Sequence, residues 1–139
     1  MVEKKYVDVN VFVYWLGKHP KLGEKAREWI RKIETSRRGE YMTSSLTLYE
    51  TVVIMAGLAD SSLRNLEFVK TVIGTITSLM GLEITSLEDQ DLINAIELMK
   101  RYNLDYEDAI HLAIALRSNV TSIISNDKDF ERTTLKREF

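Results

Sequence analysis

The stretch Lys5-Tyr6-Val7-Asp8-Val9-Asn10 sets the reading of the whole chain. A short apolar run ends in a carboxylate, and an apolar helix of about Val9 to Leu16 begins directly behind it. The same strand-then-helix unit returns further along. Tyr41 to Thr43 reads as a strand before a helix from about Thr47 to Leu58. Leu82 to Thr85 reads as another, before a helix Leu87 to Tyr102 that Ser86 would cap, with Asp89 three residues on. Asp105 caps a helix running to about Arg117, and the β-branched run Thr121 to Ser125 follows as a strand. Leu135 allows a last short strand.

Two further helices fill the connections. Leu22, Ala26, Trp29, Ile30 and Ile33 recur at spacings of three and four, so Leu22 to Thr35 is amphipathic. A longer helix is expected from the break at Asp60-Ser61-Ser62 to about Met80, with Gly81 as its stop. Strands alternating with helices imply a three-layer α/β/α fold around a short parallel sheet of four to five strands. With 139 residues and no repeat or linker, the chain reads as a single domain, 1–139.

Composition narrows the chemistry. The sequence has no cysteine, which removes disulfides, zinc–thiolate sites and thiol nucleophiles together. The formal net charge of -2 argues neither for nor against nucleic acid, but its distribution is uneven. Lys18, Lys21, Lys25, Arg27, Arg31, Lys32, Arg37 and Arg38 crowd one segment, and Arg132, Lys136 and Arg137 close the chain. Such groups suit a polyanion, and singly each also suits a solvated helix face. Glu3, Lys4 and Lys5 do not read as a secretory leader, and no apolar run reaches membrane-spanning length. The expected location is cytoplasmic.

In a parallel sheet, ligands bind beyond the carboxyl ends of the strands. Four acids converge on that edge: Asp8 and Asp127 just past strands, Glu50 in a helix behind a strand, and Asp108 in the first turn of a helix. Gathered carboxylates repel, and they stay ionised together only around a cation. An oxygen cage with room for water selects Mg²⁺ or Mn²⁺, ions that serve phosphoryl chemistry. Each acid also has a local use. Asp8 could cap the first helix, Glu50 stands at capping-box distance from Thr47, Asp108 suits a helix dipole, and Asp127 suits a turn. Asp105, Glu107 and Asp60 read as caps. His111, one turn after Asp108 in an Ala/Ile/Leu-rich helix, reads as a packed, hydrogen-bonded side chain, with a metal or catalytic role as the other option.

The ordered set Tyr6-Val7-Asp8-Val9-Asn10-Val11, Ser44-Ser45-Leu46-Thr47-Leu48-Tyr49-Glu50, Asp108-Ala109-Ile110-His111-Leu112-Ala113-Ile114-Ala115 and Ser125-Asn126-Asp127-Lys128-Asp129-Phe130 resembles the PIN domain family. The likeness is to its compact VapC-type toxin ribonucleases. The resemblance implies a metal-dependent endoribonuclease that leaves a 5′-phosphate and a 3′-hydroxyl. It carries the family's four acids onto Asp8, Glu50, Asp108 and Asp127, with Asp129 able to share the duty of Asp127. Asn10 and Ser125 fall where the family places polar groups that support the carboxylates. Asp8, Asp108 and Asp127 would hold the ion, and Glu50 a second ion or a bound water. A VapB-type antitoxin and a homodimer through helices of the first half are further implications. Val53, Ile54, Phe68, Val69, Val72, Ile73 and Ile76 are available for both core and interface. The competing reading is a non-catalytic PIN-like module that binds RNA or protein. A nuclease acting on single-stranded or flap DNA ranks below both, because nothing resembles the helical arch such enzymes use.

Overall fold

The computed structural model describes residues 3–139. Five parallel strands form one sheet in the order β3-β2-β1-β4-β5. They are β1 (Lys5–Val7), β2 (Tyr41–Ser44), β3 (Leu82–Thr85), β4 (Ser122–Ile124) and β5 (Lys136–Glu138). The helices are α1 (Val9–Leu16), α2 (Gly23–Thr35), α3 (Ser45–Leu58), α4 (Leu66–Thr77), α5 (Asp89–Tyr102) and α6 (Tyr106–Arg117). A 3₁₀ turn, Lys128–Arg132, joins β4 to β5.

The strands are short and buried, and alternate residues serve opposite faces. Tyr6, Met42 and Ile123 pack with Leu112, Ile114 and Phe130 beneath α5 and α6. Val7, Tyr41, Leu82 and Ile124 pack with Val11, Phe12, Ile30 and Ile33 on the face of α1 to α4. The three-layer architecture is therefore two apolar cores divided by one sheet. From β1 the chain builds outward to β2 and β3, then returns to add β4 and β5 on the other side. The order reverses between β1 and β4, and a crevice opens at such a switch point beyond the carboxyl ends. Asp8 follows β1 directly, and Ser125 follows β4.

Local chemistry shifts three of the expected boundaries. α4 starts at Leu66, because Asn65 caps it through the Phe68 N–H at 3.1 Å while Ser62 turns the chain ahead of it. It ends at Thr77, so Gly81 is not its stop. A Cβ on Gly81 would run into the Ile33 carbonyl and the Ser36 hydroxyl, so this glycine permits a close approach to the end of α2. α5 is capped not by Ser86 but by Glu88, in a reciprocal capping box with Asp91. The Ser86 carbonyl instead accepts from Arg117, whose guanidinium also forks onto Asp91 at 2.8 and 2.7 Å. Asp105 does cap α6, through the Asp108 N–H at 2.8 Å. Among the described residues no helix is long and apolar enough to cross a membrane.

Candidate active site

Asp8 is buried and fully engaged. One oxygen accepts from the Val9 N–H at 2.8 Å, which makes Asp8 the cap of α1. The other accepts from the Ser125 hydroxyl at 2.6 Å and from Asn10 Nδ2 at 3.3 Å. Asn10 in turn donates to Ser125 at 3.1 Å, and Ser125 accepts from the Asp127 N–H at 3.0 Å. The side chain that caps α1 also lines the cleft described below. Burial pushes the Asp8 carboxyl up, against the pull of His111, Ser125 and Val9.

Asp108 projects from the first turn of α6, and Asp127 caps the 3₁₀ turn by accepting from the Asp129 N–H at 2.9 Å. Asp108, Asp127 and Asp129 each offer an oxygen, all within 4.8 Å of one another. Asp129 also meets Arg132 at 3.0 Å. The Asp108 carboxyl is pushed up to about 8, first by burial, then by Asp105, Asp127 and Asp8, with a shared hydrogen bond to Asp127. A cleft of about 220 Å³ opens over this group. Asp8, Asn10, Glu107, Asp108 and Asp127 line it with Val9, Val13 and Ile54.

Glu50 stands behind that lining. Its Oε1 meets His111 Nε2 at 2.5 Å. Hydrogen bonding to Glu50, then burial and the charge of Glu50, push the Glu107 carboxyl up to about 7. His111 is packed inside the core, as expected, and its Nδ1 meets the Tyr6 hydroxyl at 2.7 Å. Burial works against a charged imidazole there, but Tyr6, Glu50 and Asp8 overcome it and raise its pKa well above the usual value. Glu107 is the residue the sequence reading misplaced. It is not the cap of α6 but a wall of the cleft. The available signal was its i, i+4 spacing to His111, which puts both on one helix face.

The donor set fits a hard divalent cation. It is all oxygen, and no Lys or Arg lines the cleft. Without a counter-charge Asp108 holds its proton at neutral pH, so the carboxylates ionise together only when a cation supplies that charge.

The sequence profile of the PIN domain matches residues 5–136. The chain belongs to the PIN domain family. Solved structures share the fold over nearly its whole length. VapC20 of Mycobacterium tuberculosis, described as a Sarcin-Ricin loop cleaving toxin, superimposes with a TM-score of 0.71 at 14% identity, covering 92% of this chain and 93% of that one. VapBC2 of Rickettsia felis, solved with a promoter DNA fragment, gives 0.68 at 20% identity over 99% and 98%. DNA-bound VapBC of Salmonella typhimurium gives 0.66 at 19% over 99% and 98%. No curated protein sequence matches the chain. The five-stranded parallel PIN domain sheet with helices on both faces is the architecture expected from the sequence.

Proposed function

We propose that the chain is a Mg²⁺- or Mn²⁺-dependent endoribonuclease and the toxin of a toxin–antitoxin pair. One observation carries this reading: Asp8, Asp108 and Asp127 meet in a single cleft that no Lys or Arg lines. Asp8, Asp108 and Asp127 would hold the ion, Asp129 adds a carboxylate beside them, and Glu50 completes the acidic set from behind Glu107. When bound, the ion supplies acidification of a water and charge neutralisation at the phosphate. Ser125 and Asn10 keep the Asp8 carboxylate in one orientation, so little reorganisation is needed when substrate enters. The open cleft exposes a phosphodiester to in-line attack. Hydrolysis adds the water oxygen to phosphorus and expels the 3′-oxygen, leaving 5′-phosphate and 3′-hydroxyl ends. No side chain is needed as a covalent nucleophile.

A VapB-type antitoxin and a second copy of the chain are the proposed partners. α3 supports this with apolar side chains left in water. Tyr49 and Leu58 are each 66% exposed, and Val53 and Ile54 are 38% and 39% exposed. Val72 and Ile76, also candidates for that interface, lie in the core instead.

Calorimetry with Mn²⁺, paired with cleavage of labelled RNA and DNA, tests the reading. Asp8→Asn and Asp108→Asn should lose Mn²⁺ uptake and RNA cleavage while melting as folded proteins. Wild-type cleavage by either variant removes the metal-cage mechanism. RNA binding with neither Mn²⁺ uptake nor cleavage would make the chain a binding module.

A further inference from the structure

The acidic cleft is one end of a longer feature. Val13 and Ile54 close one side of it, and the same two side chains open a second hollow of about 730 Å³. Tyr14, Leu16, His19 and Leu58 line that hollow with them. His19 and Pro20 belong in turn to a third hollow of about 700 Å³, where Trp15, Lys18, Glu24 and Arg27 stand. Shared walls join the three into one trough along α1, acidic at the start of the helix, apolar in the middle and cationic past its end. We propose that this trough seats the nucleotides flanking the scissile bond of a single-stranded RNA, with unpaired bases over its apolar middle and phosphates on Lys18 and Arg27. The assignment rests on reading the cleft as a ribonuclease site.

The sequence lays out those three stretches in order. Asp8 caps α1, whose eight residues run ~12 Å away from the cleft. Gly17 and Lys18 then turn the chain, Lys18 with a left-handed φ of 50°. α2 follows, and between Lys18 and Arg31 five cations stand against two acids. The 3.9 Å contact of Arg27 with Glu24 is long and exposed on both sides, too weak to keep Arg27 from a phosphate. His19 stands where the apolar and cationic stretches meet. Its Nδ1 accepts the N–H groups of Lys21 and Leu22 at 3.1 and 3.0 Å, so the ring hydrogen sits on Nε2. The bonds that lead the chain into α2 thus leave an oriented N–H donor for the strand. The ring also meets Tyr14 edge to face at 5.0 Å between centroids, and the Tyr14 hydroxyl accepts from Asn126, the neighbour of Asp127, at 3.3 Å. The middle of the trough is thereby tied to its acidic end.

Chemistry selects the occupant. Phe12 is wholly buried and buried Trp29 carries Lys5 and Lys32 over its ring, whereas Trp15 is half-buried and lines the trough. An aromatic ring beside cations is the usual platform for a base in single-strand binding. A duplex would lay sugar and phosphate on Leu16, Ile54 and Leu58, because only unpaired bases offer an apolar face. A peptide would need a cation at one end and an acid at the other, whereas an RNA strand with its scissile phosphate in the cleft meets Lys18 and Arg27 with its next phosphates. Ile54 and Leu58 lie one turn apart on α3, and Tyr49 and Val53 form a separate stripe that remains for a protein partner.

The test is fluorescence anisotropy of a labelled single-stranded RNA, the same RNA as a duplex, and a labelled Glu-rich peptide on the full chain in chelator, with RNA cleavage in Mn²⁺ measured alongside. Lys18→Asn suits the left-handed backbone, Arg27→Gln keeps the helix, and Leu58→Glu alters a side chain that is 66% exposed. Trp15→Leu removes the base platform. Lys18→Asn/Arg27→Gln should lower the slope of log affinity against log salt by about 1.4, at ~0.7 per phosphate contact. Trp15→Leu should weaken single-strand binding by about five-fold or more, and Leu58→Glu should weaken it too, while neither changes duplex binding. An unchanged salt slope, or wild-type single-strand affinity in Leu58→Glu and folded Trp15→Leu, would overturn the proposal. So would a wild type that binds no RNA, a duplex that binds as tightly as the single strand, or a peptide that binds more tightly than RNA. Should Trp15→Leu fail to fold, Leu58→Glu decides the apolar stretch alone. RNA binding that the variants weaken, without any cleavage in Mn²⁺, sinks the ribonuclease reading and leaves the trough as an RNA seat. Cleavage with wild-type affinity in every variant sinks the trough and leaves that reading.

Discussion

Replacing Asp108 by Asn probes the electrostatics of the site without any nuclease assay. In the metal-free chain burial, Asp105, Asp127 and Asp8 push this carboxyl up to about 8. In the unfolded chain the same group titrates at about 3.9. Between those values the native state binds more protons than the unfolded one, so stability falls as pH rises through the interval. The loss begins above the unfolded pKa and levels off above the folded one. At about pH 7 the ceiling is ~4 kcal/mol, from roughly three pH units at ~1.36 kcal/mol each. Asp108 is only partly buried, and solvent screening reduces this to about 1–2 kcal/mol. Asn cannot ionise, and its amide can donate to Asp127 where the shared proton did. Asp108→Asn should therefore stabilise the metal-free protein, raising Tm by roughly 3–8 °C near neutral pH for a chain of this size.

Circular-dichroism melts in chelator, from about pH 4 to about pH 8.5, read the effect. The gain should vanish at the acid end, where Asp108 is protonated in both states. Saturating Mn²⁺ should invert the order, since only the wild type gains binding free energy. A variant no more stable than wild type at neutral pH, or one whose advantage is the same at every pH, would refute the reasoning.

Two structural predictions accompany it. Arg117→Ala leaves buried Asp91 without its bidentate partner and should cost about 2–4 kcal/mol in urea unfolding, whereas Asp91→Ala/Arg117→Ala should recover part of that loss. Gly81→Ala drives a methyl group into the Ile33 carbonyl and should destabilise by roughly 2 kcal/mol or more, seen as a lower urea midpoint at unchanged slope.

Where strand and helix signals were local, the sequence was enough. β3 at Leu82–Thr85 and α1 at Val9–Leu16 fall where periodicity puts them, and Asp105 caps α6 as its spacing implies. The acids Asp8, Asp108 and Asp127 were legible for a related reason. Each lies at the end of a strand or the start of a helix, and a parallel fold brings those ends to one edge. What stayed hidden depended on partners distant in the chain. The start of α5 moved because Arg117 claims both Asp91 and the Ser86 carbonyl. Gly81 reads locally as a helix stop, because nothing nearby in the sequence reveals that α2 ends against it.

Glu107 belongs to the same class, and it shows what a residue-by-residue transfer from a family leaves out. Its position next to Asp108 reads as a helix-dipole acid, and that local advantage is real. Its place in the cleft becomes visible only in three dimensions, beside a Glu50 that lies 57 positions earlier in the sequence and pairs with His111. Glu50 is held below the usual carboxylate range by His111 and Glu107 despite its burial, while Glu107 is raised to about 7. The charge sits on the inner member and the proton on the outer one. A cation arriving in the cleft would displace that outer proton, as it would the one on Asp108. Metal uptake near neutral pH should consequently release more than one proton, and calorimetry in buffers of different ionisation enthalpy counts them. Glu107→Gln should release fewer protons than wild type, and an unchanged count would mean that Glu107 stays protonated and takes no part.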